Sequence, residues 1–223
     1  MPPAPDVHAV HHAVHHAVHH AVVRTAPADA PVVLLLHGFG ADETSLAGVG
    51  TRLPDGLRVV VLRAPLTLAP GQHAWFPIST PGSPDPDAVA PGVAAAHAWV
   101  TEHVAPDVAV VPVGFSQGGL VASQLLRTRP ERYAGAGLLG GFVLQGEAAG
   151  DATLRRTRPP VFSGRGTADT VIAAHAVERT DGWLPLHTTA TVRSYPGLGH
   201  TVSATQARDL ADWVRTVVAA VHA

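Results

Sequence analysis

The sequence predicts an α/β protein with a mostly parallel central sheet that is covered by helices on both faces. Three observations support this fold class: short β-branched, apolar runs recur along the chain, longer segments of helical character separate them, and no linker divides the chain after residue 30. Strands that are apolar throughout and alternate with helices are typical of a parallel sheet buried on both faces. The predicted strands span residues 32–36, 57–62, 108–113, 134–139, 160–163 and 190–195.

Helical patterns fill the intervals between these strands. The clearest lies near the C-terminus, because Leu210, Val214 and Val217 recur with the 3.6-residue period of a helix. Residues 64–87 are rich in proline and form the longest irregular stretch, and a loop of that length in a compact domain is usually functional or disordered. The predicted helices span about residues 43–53, 86–104, 117–128, 171–184 and 203–221.

The composition excludes several classes of protein. The 223-residue chain is 46% apolar and 14% charged with a net charge of −2, which excludes a disordered chain and argues against general nucleic-acid binding. It has no cysteine, so disulfides, thiolate catalysis and cysteine-ligated metals are impossible. All 15 basic residues are arginine, which excludes Schiff-base chemistry and a lysine-containing phosphate loop.

The N-terminus concentrates histidine, with 7 of the 15 histidines falling between His8 and His20. We predict that residues 1–20 form a low-complexity arm and that residues 21–223 form a single domain. Two interpretations of the repeated His-His-Ala-Val at residues 11–22 stay open. One is a repeat expansion that forms a mobile arm. The other is a helix that holds a transition metal through histidines at i, i+4 spacing, namely His11, His15 and His19.

We expect no segment that directs the protein to or across a membrane. No apolar run approaches the ~20 residues of a membrane span. Residues 1–6 carry no basic segment, and no apolar segment follows them. We therefore expect a cytoplasmic protein with no membrane partner, and we expect no cofactor or metal in its main function.

The last copy of the His-His-Ala-Val repeat, running into Arg24, is a candidate edge strand.

A motif with a candidate catalytic serine lies between the third predicted strand and the helix after it. Residues 108–119 read V-A-V-V-P-V-G-F-S-Q-G-G, which is a strand, a Gly-x-Ser-x-Gly turn and a helix start. In this context the turn holds Ser116 in a strained conformation and exposes its hydroxyl. Gly114 and Gly118 are needed because a β-carbon there would clash with the neighbouring strand or helix. The alternative is an ordinary strand-to-helix turn with a serine N-cap, and Pro112 fits poorly in a central strand.

A serine needs a base, so an acid and a histidine are expected after later strands. Asp169 follows the strand that begins near residue 160, and His200 follows the strand that ends at Tyr195. Both therefore lie at the edge of the sheet where Ser116 lies, which is where open α/β sheets build their sites. His200 would take the proton of Ser116, and Asp169 would orient His200. Asp181 is the nearest alternative acid.

Acyl transfer also needs donors for the developing oxyanion. The backbone N–H of Gln117, directly after the serine, is one candidate. Leu36-His37-Gly38-Phe39-Gly40 follows the first predicted strand, and the Phe39 N–H is the second candidate. We expect His37 to brace this loop rather than to take part in the chemistry.

Together these motifs resemble the phospholipase/carboxylesterase family of α/β-hydrolases, which includes acyl-protein thioesterases and small bacterial carboxylesterases. The resemblance implies an α/β-hydrolase fold without a large lid domain, and it implies the Ser116–Asp169–His200 triad with an oxyanion hole at Phe39 and Gln117. Gly140-Gly141 stands where such enzymes usually have a Ser-Gly step. The motifs that carry the resemblance are L-L-H-G-F-G-A-D-E at 35–43, R-A-P at 63–65, A-W-F at 74–76, G-F-S-Q-G-G at 114–119, G-T-A-D at 166–169 and Y-P-G-L-G-H at 195–200.

The expected substrate is a small ester or thioester. The stretch 143–158 is too short for a helical lid, which predicts an open cleft and acyl chains of short to medium length. The resemblance suggests that the loop at 64–80 walls the acyl pocket, although core packing is an equally good interpretation of each wall candidate. A peptidase of the same fold and a His-rich metal-binding protein on an inactive hydrolase scaffold stay open as alternatives. The wall candidates are Leu66, Trp75, Phe76, Phe142 and Val171.

Overall fold

The computed structural model describes residues 19–221, and its centre is a seven-stranded sheet. The strands are β1 (His20–Arg24), β2 (Val32–Leu36), β3 (Arg58–Leu62), β6 (Val110–Phe115), β7 (Ala136–Leu139), β8 (Pro160–Gly166) and β9 (Thr189–Tyr195). They lie in the order β1-β3-β2-β6-β7-β8-β9, and all pair in parallel except β1, which runs antiparallel to β3. A separate hairpin joins β4 (Leu66–Ala69) to β5 (Gln72–Ala74).

Helices cover both faces of this sheet. They are α1 (Ala47–Gly50), α2 (Pro86–His103), α3 (Gln117–Thr128), α4 (Asp151–Thr157), α5 (Ala174–His187) and α6 (Ala204–Val221). Side chains of α2, α3, α4 and α5 belong to one apolar cluster, and those of α1 and α6 to the other. Alternate residues of β2 feed the two clusters, with Leu34 in the first and Leu35 in the second. The predicted parallel sheet with helices on both faces is therefore confirmed.

The structure differs from the prediction where an element is short. The β4–β5 hairpin lies within the stretch predicted to be irregular, and its turn uses Gly71 at φ 71°. The helix α4 was not predicted because seven residues are too few to display a period, and only Asp151 and Leu154 are buried. In the predicted helix at 43–53, only residues 47–50 are helical. The candidate edge strand is present as β1.

The two interpretations of the histidine repeat fall largely outside the described residues. His11 and His15 lie in the part of the chain that the structure does not describe. Within residues 19–221, no group of three or more histidine or acidic side chains could hold a metal ion. No helix in the same range is long and apolar enough to span a bilayer.

A buried ion pair fixes the segment that follows β7. The Arg127 guanidinium on α3 donates to both carboxylate oxygens of Asp151, at 2.9 and 2.6 Å, and both side chains are almost fully buried. Arg127 also donates to the carbonyl oxygens of Leu144 and Gly146 and lies over the ring of Trp183. One side chain on α3 thus holds residues 144–151 against the body of the protein.

A chain of hydrogen bonds through His97 joins α2 to α3. The Thr128 hydroxyl donates to the Gln124 carbonyl, so its oxygen accepts from His97 Nε2 at 2.8 Å. The remaining ring nitrogen, Nδ1, then accepts from the Tyr133 hydroxyl at 2.7 Å. Burial, reinforced by the positive charge of Arg129, lowers the pKa of His97 to about 4. His97 is therefore a neutral part of the core at neutral pH.

We expect acid to destabilise the protein through His97 well before its carboxylates titrate. The unfolded chain binds a proton at His97 below about pH 6.5, whereas the folded chain does so only near about pH 4. The free energy of unfolding should therefore decrease as the pH is lowered from about 6.5 to about 4, by up to about 1.4 kcal/mol per pH unit for this one group. Urea unfolding measured across the interval tests this. The control is His97→Gln, in which the slope should be smaller by one proton, and an equal slope in both proteins would contradict the assignment.

Candidate active site

The turn between β6 and α3 places Ser116 at the carboxyl edge of the sheet. Ser116 has φ 55° and ψ −117°, a backbone conformation that L-residues rarely adopt. Its amide donates to the carbonyl of Leu139 on β7 at 2.9 Å, and its carbonyl accepts from the amide of Gly119. The hydroxyl makes no capping bond to α3, so the ordinary N-cap alternative is wrong. The backbone is held on both sides while the side chain projects away from the helix.

The two glycines of the motif allow β6 and α3 to approach each other closely. A β-carbon at Gly114 would overlap the carbonyl of Gly118, and one at Gly118 would overlap the carbonyl of Leu36 at the end of β2. The predicted steric need for glycine is therefore confirmed at both positions. A further contact joins Gly119 to Gly141, where a β-carbon at either position would lie only 2.8 Å from the other residue's α-carbon. Gly141 belongs to the Gly-Gly step that replaces the usual Ser-Gly.

Pro112 is tolerated because the pairing of β6 with β7 begins after it. The register joins Val113, not Pro112, to the first β7 partner, Gly137. The Val110 carbonyl accepts from Ala134, so the even-numbered residues of β6 direct their backbone polar groups toward β7. The N–H that Pro112 lacks would therefore point toward β7, at a position before the β6–β7 ladder begins, so no ladder hydrogen bond is lost.

Ser116, His200 and Asp169 form one hydrogen-bonded series. His200 Nε2 lies 2.8 Å from Ser116 Oγ, and His200 Nδ1 lies 2.7 Å from Asp169 Oδ2. The Asp169 side chain is 1% exposed and that of His200 is 15% exposed. An ionised Asp169 accepts from Nδ1–H, which leaves the lone pair of Nε2 to accept from the serine hydroxyl. The structure thus brings together the three residues that the sequence proposed for catalysis.

The loops after β8 and β9 support each other and so fix Asp169 relative to His200. The Ala168 amide donates to the Leu198 carbonyl, and a β-carbon at Gly166 would overlap that same carbonyl. The second oxygen of Asp169 accepts from the amides of Val171 and Ile172. The alternative acid, Asp181, instead pairs with Arg165 at the surface.

The loop after β2 presents a free backbone donor beside the serine. Within the described part of the chain, neither the Phe39 N–H nor the Gln117 N–H has an acceptor. Fully buried His37 braces this loop, because its Nε2 accepts from the amide of Ala64 at 2.9 Å and its Nδ1 then donates to the carbonyl of Gly38 at 2.8 Å. Burial lowers the pKa of His37, which favours this neutral form. The predicted bracing role of His37 is therefore confirmed.

Trp75 is a correction to the predicted acyl wall. It is 1% exposed, and its indole N–H donates to the His37 carbonyl at 2.9 Å. Its backbone amide donates to the Gln117 side-chain oxygen, and the Gln117 side-chain nitrogen donates to the Phe76 carbonyl. Trp75 therefore lies in the core beneath the site. Sequence reasoning did not predict that the Gln117 side chain would bind the backbone at Trp75 and Phe76, because these partners are distant along the chain.

The other wall candidates divide between core and surface. Phe76 and Phe142 are buried at 2% and 7% exposure, whereas Leu66 and Val171 are exposed at 40% and 61%. A cavity of about 370 Å³ instead opens between α1 and the start of α6, and none of the five predicted wall residues lines it. Its lining consists of Gly38, Phe39, Ala41, Ser45, Leu46, Gly48, Val49, Arg52, Phe115, Thr201, Val202, Ser203, Ala204 and Ala207.

Taken with the sheet order, the arrangement around Ser116 defines the protein as an α/β hydrolase. A sequence model of the phospholipase/carboxylesterase family matches residues 17–218, and the chain therefore belongs to that family.

Individual relatives agree with this assignment. A probable carboxylesterase of Oryza sativa subsp. japonica is 27% identical over 152 residues, a match that covers 64% of this chain and 57% of the rice protein. The match thus spans little more than half of that relative's length. Bacillus cereus carboxylesterase has a TM-score of 0.75 at 20% identity, with 90% of this chain and 94% of that chain covered. SOBER1 of Arabidopsis thaliana has a TM-score of 0.69 at 21% identity, with 84% and 99% covered. At these identities the two structures share the fold.

We expect Gly118→Ala to disrupt the turn that carries Ser116. Its β-carbon would overlap the Leu36 carbonyl, a backbone atom that cannot move without shifting β2. The free energy of unfolding should fall by about 3 kcal/mol or more, measured by thermal or urea unfolding. The matched control is Gly182→Ala on α5, where a β-carbon meets no atom within 4 Å. That variant should be slightly more stable than the parent, and equal stability of Gly118→Ala and the parent would refute the steric argument.

Proposed function

We propose that the protein is a serine hydrolase that cleaves carboxylic esters or thioesters of short to medium acyl chains through an acyl-enzyme intermediate. The single observation that carries this proposal is the continuous hydrogen-bonded series Ser116–His200–Asp169 on three loops at one edge of the sheet. Membership of the phospholipase/carboxylesterase family supports it, as does the naming of similar proteins as carboxylesterases.

In the first half-reaction Ser116 Oγ attacks the acyl carbon. His200 accepts the hydroxyl proton at Nε2, and Asp169 keeps the ring in the correct tautomer and stabilises the imidazolium that forms. The negative charge that develops on the carbonyl oxygen is bound by the N–H groups of Phe39 and Gln117. Both donors lack an acceptor among the described residues, so no internal bond has to break when the oxyanion forms.

The first half-reaction ends when His200 gives its proton to the departing alcohol or thiol, which leaves the acyl-enzyme. In the second half-reaction His200 takes a proton from the attacking water and returns it to Ser116 Oγ as the carboxylic acid departs. Between β7 and β8 the chain holds only the seven-residue helix α4, which Arg127 secures to the protein body. This supports an open site for small-molecule substrates. A cytoplasmic location without nucleic-acid or membrane partners stays a prediction from composition.

Replacing the nucleophile tests the proposal directly. Ser116→Ala should lower kcat/KM for p-nitrophenyl butyrate by at least about a thousandfold and abolish labelling by a fluorophosphonate probe, because no other group can form the acyl-enzyme. The matched control is Ser123→Ala, which removes a buried hydroxyl further along the same helix α3.

The control should retain both activity and labelling. Parent-like hydrolysis by folded Ser116→Ala would overturn the proposal. A parallel assay on p-nitroanilides of the same acyl groups separates an esterase from a peptidase, and we expect much slower hydrolysis of the anilides.

A further inference from the structure

Resting on the proposed function, we propose that the cavity between α1 and α6 is the subsite for the leaving group of the substrate. The group that it fits is an alcohol or thiol with an apolar body and an anionic end. The volume of about 370 Å³ falls in the range of small-molecule sites, and Phe39, Phe115 and Thr201 place the cavity directly beside the triad.

The position of His200 decides which half of the ester enters this cavity. Attack by Ser116 Oγ gives a tetrahedral oxyanion, and the bond from the acyl carbon to the leaving oxygen or sulfur breaks when this intermediate collapses. The proton that His200 took from the serine must reach the departing atom, so that atom lies within hydrogen-bond reach of Nε2. The rest of the leaving group therefore extends along the His200 side of the site.

Residues next to His200 form the wall on that side. Thr201 and Val202 follow it directly in the chain and line the cavity. The ring of Phe115, another lining residue, packs against the His200 ring with centroids 4.8 Å apart. A leaving group protonated by His200 thus passes from the reacting carbon straight into the cavity, and the released alcohol vacates it before water attacks the acyl-enzyme.

The lining defines the chemistry of the group that fits. Apolar side chains from both helices, from β6 and from the residue before α1 form most of the wall, including Val49, Phe115 and Leu46. Hydroxyl groups come from Ser45, Thr201 and Ser203. These residues favour an apolar body with a few hydrogen-bonding atoms.

Arg52 adds the charge preference. It is the only charged residue of the lining, and no carboxylate within residues 19–221 pairs with it. Its guanidinium donates to the carbonyl of Gly48 and keeps further N–H groups free to bind an anion. No acidic residue lines the cavity, so a cationic leaving group would find no partner there.

The opposite side of the serine remains for the acyl chain. The exposed side chain of Leu66 lies in β4, ahead of α2, and that of Val171 lies on the loop before α5; these two helices cover the other face of the sheet. Changes to the α1–α6 cavity should therefore alter preference among alcohols while the acyl group is held constant.

The experiment compares butyrate esters that differ only in their alcohol. Gly48→Leu fills the cavity from α1, where a β-carbon meets only the Arg52 guanidinium, at 3.8 Å. It should lower the ratio of kcat/KM for hexyl over ethyl butyrate by about tenfold. Ala204→Leu, which enters from α6, should act in the same direction. The matched control is Gly182→Leu, a glycine on α5 with open space around it, and its ratio should equal that of the parent.

The charge preference has its own pair of substrates. 4-Butyryloxybutanoate carries a carboxylate on its alcohol, and 4-methylpentyl butyrate has nearly the same shape without charge. We expect Arg52→Gln to lower the ratio of kcat/KM for the first over the second by about tenfold, since one charged hydrogen bond is lost.

Each outcome counts for or against the subsite. Ser116-dependent hydrolysis with alcohol ratios that neither filling variant changes would overturn the leaving-group subsite and leave the proposed function intact. If the filling variants change the hexyl-to-ethyl ratio but Arg52→Gln leaves the ratio for the charged over the uncharged ester unchanged, the anionic preference is overturned and the subsite stands. Failure of the parent to hydrolyse any ester or to react with the fluorophosphonate probe would instead overturn the proposed function itself.

Discussion

The contact between Gly118 and the carbonyl of Leu36 is the constraint on which the whole site depends. It requires the first turn of α3 to lie directly against the end of β2, with no side chain between them. The strained backbone of Ser116 is the geometric result, because the chain must reverse from β6 into α3 within this narrow space. The same contact sets the serine beside the loop that carries Phe39, so the proposed nucleophile and the proposed oxyanion donor are positioned by one contact.

Three buried or half-buried histidines illustrate how hydrogen bonds assign different tasks to one side chain. His37 accepts at Nε2 from a backbone amide and braces a loop, while His97 accepts at Nδ1 from a tyrosine hydroxyl and joins two helices. Both are held neutral by burial, which lowers their pKa. His200 has the same donor–acceptor pattern as His37, but its partners are a carboxylate and a hydroxyl at the surface of the site. This combination is the one on which the proposed proton transfer depends.

The sequence predicted the elements whose signals are local and regular. The Gly-x-Ser-x-Gly turn, the acid and histidine after successive strands, and the long helix α6 all depend on patterns within a few residues. The β4–β5 hairpin and α4 are too short to display a period, so they could not be predicted in this way. The error at Trp75 has another cause, because an aromatic residue in a loop satisfies a pocket wall and a core equally well. Its burial depends on Gln117 and His37, which are distant in sequence.

The buried pair of Arg127 and Asp151 has a consequence for behaviour on heating. Withdrawing two charges from water is unfavourable, so at ordinary temperatures such a pair adds little net stability compared with an apolar contact. The hydration of ions becomes less favourable as temperature rises, and the desolvation penalty of the pair shrinks with it. Residues 144–151, which this pair holds, therefore become more securely attached relative to segments held by apolar contacts alone. As the protein warms, residues 144–151 should be among the last segments of the surface to detach.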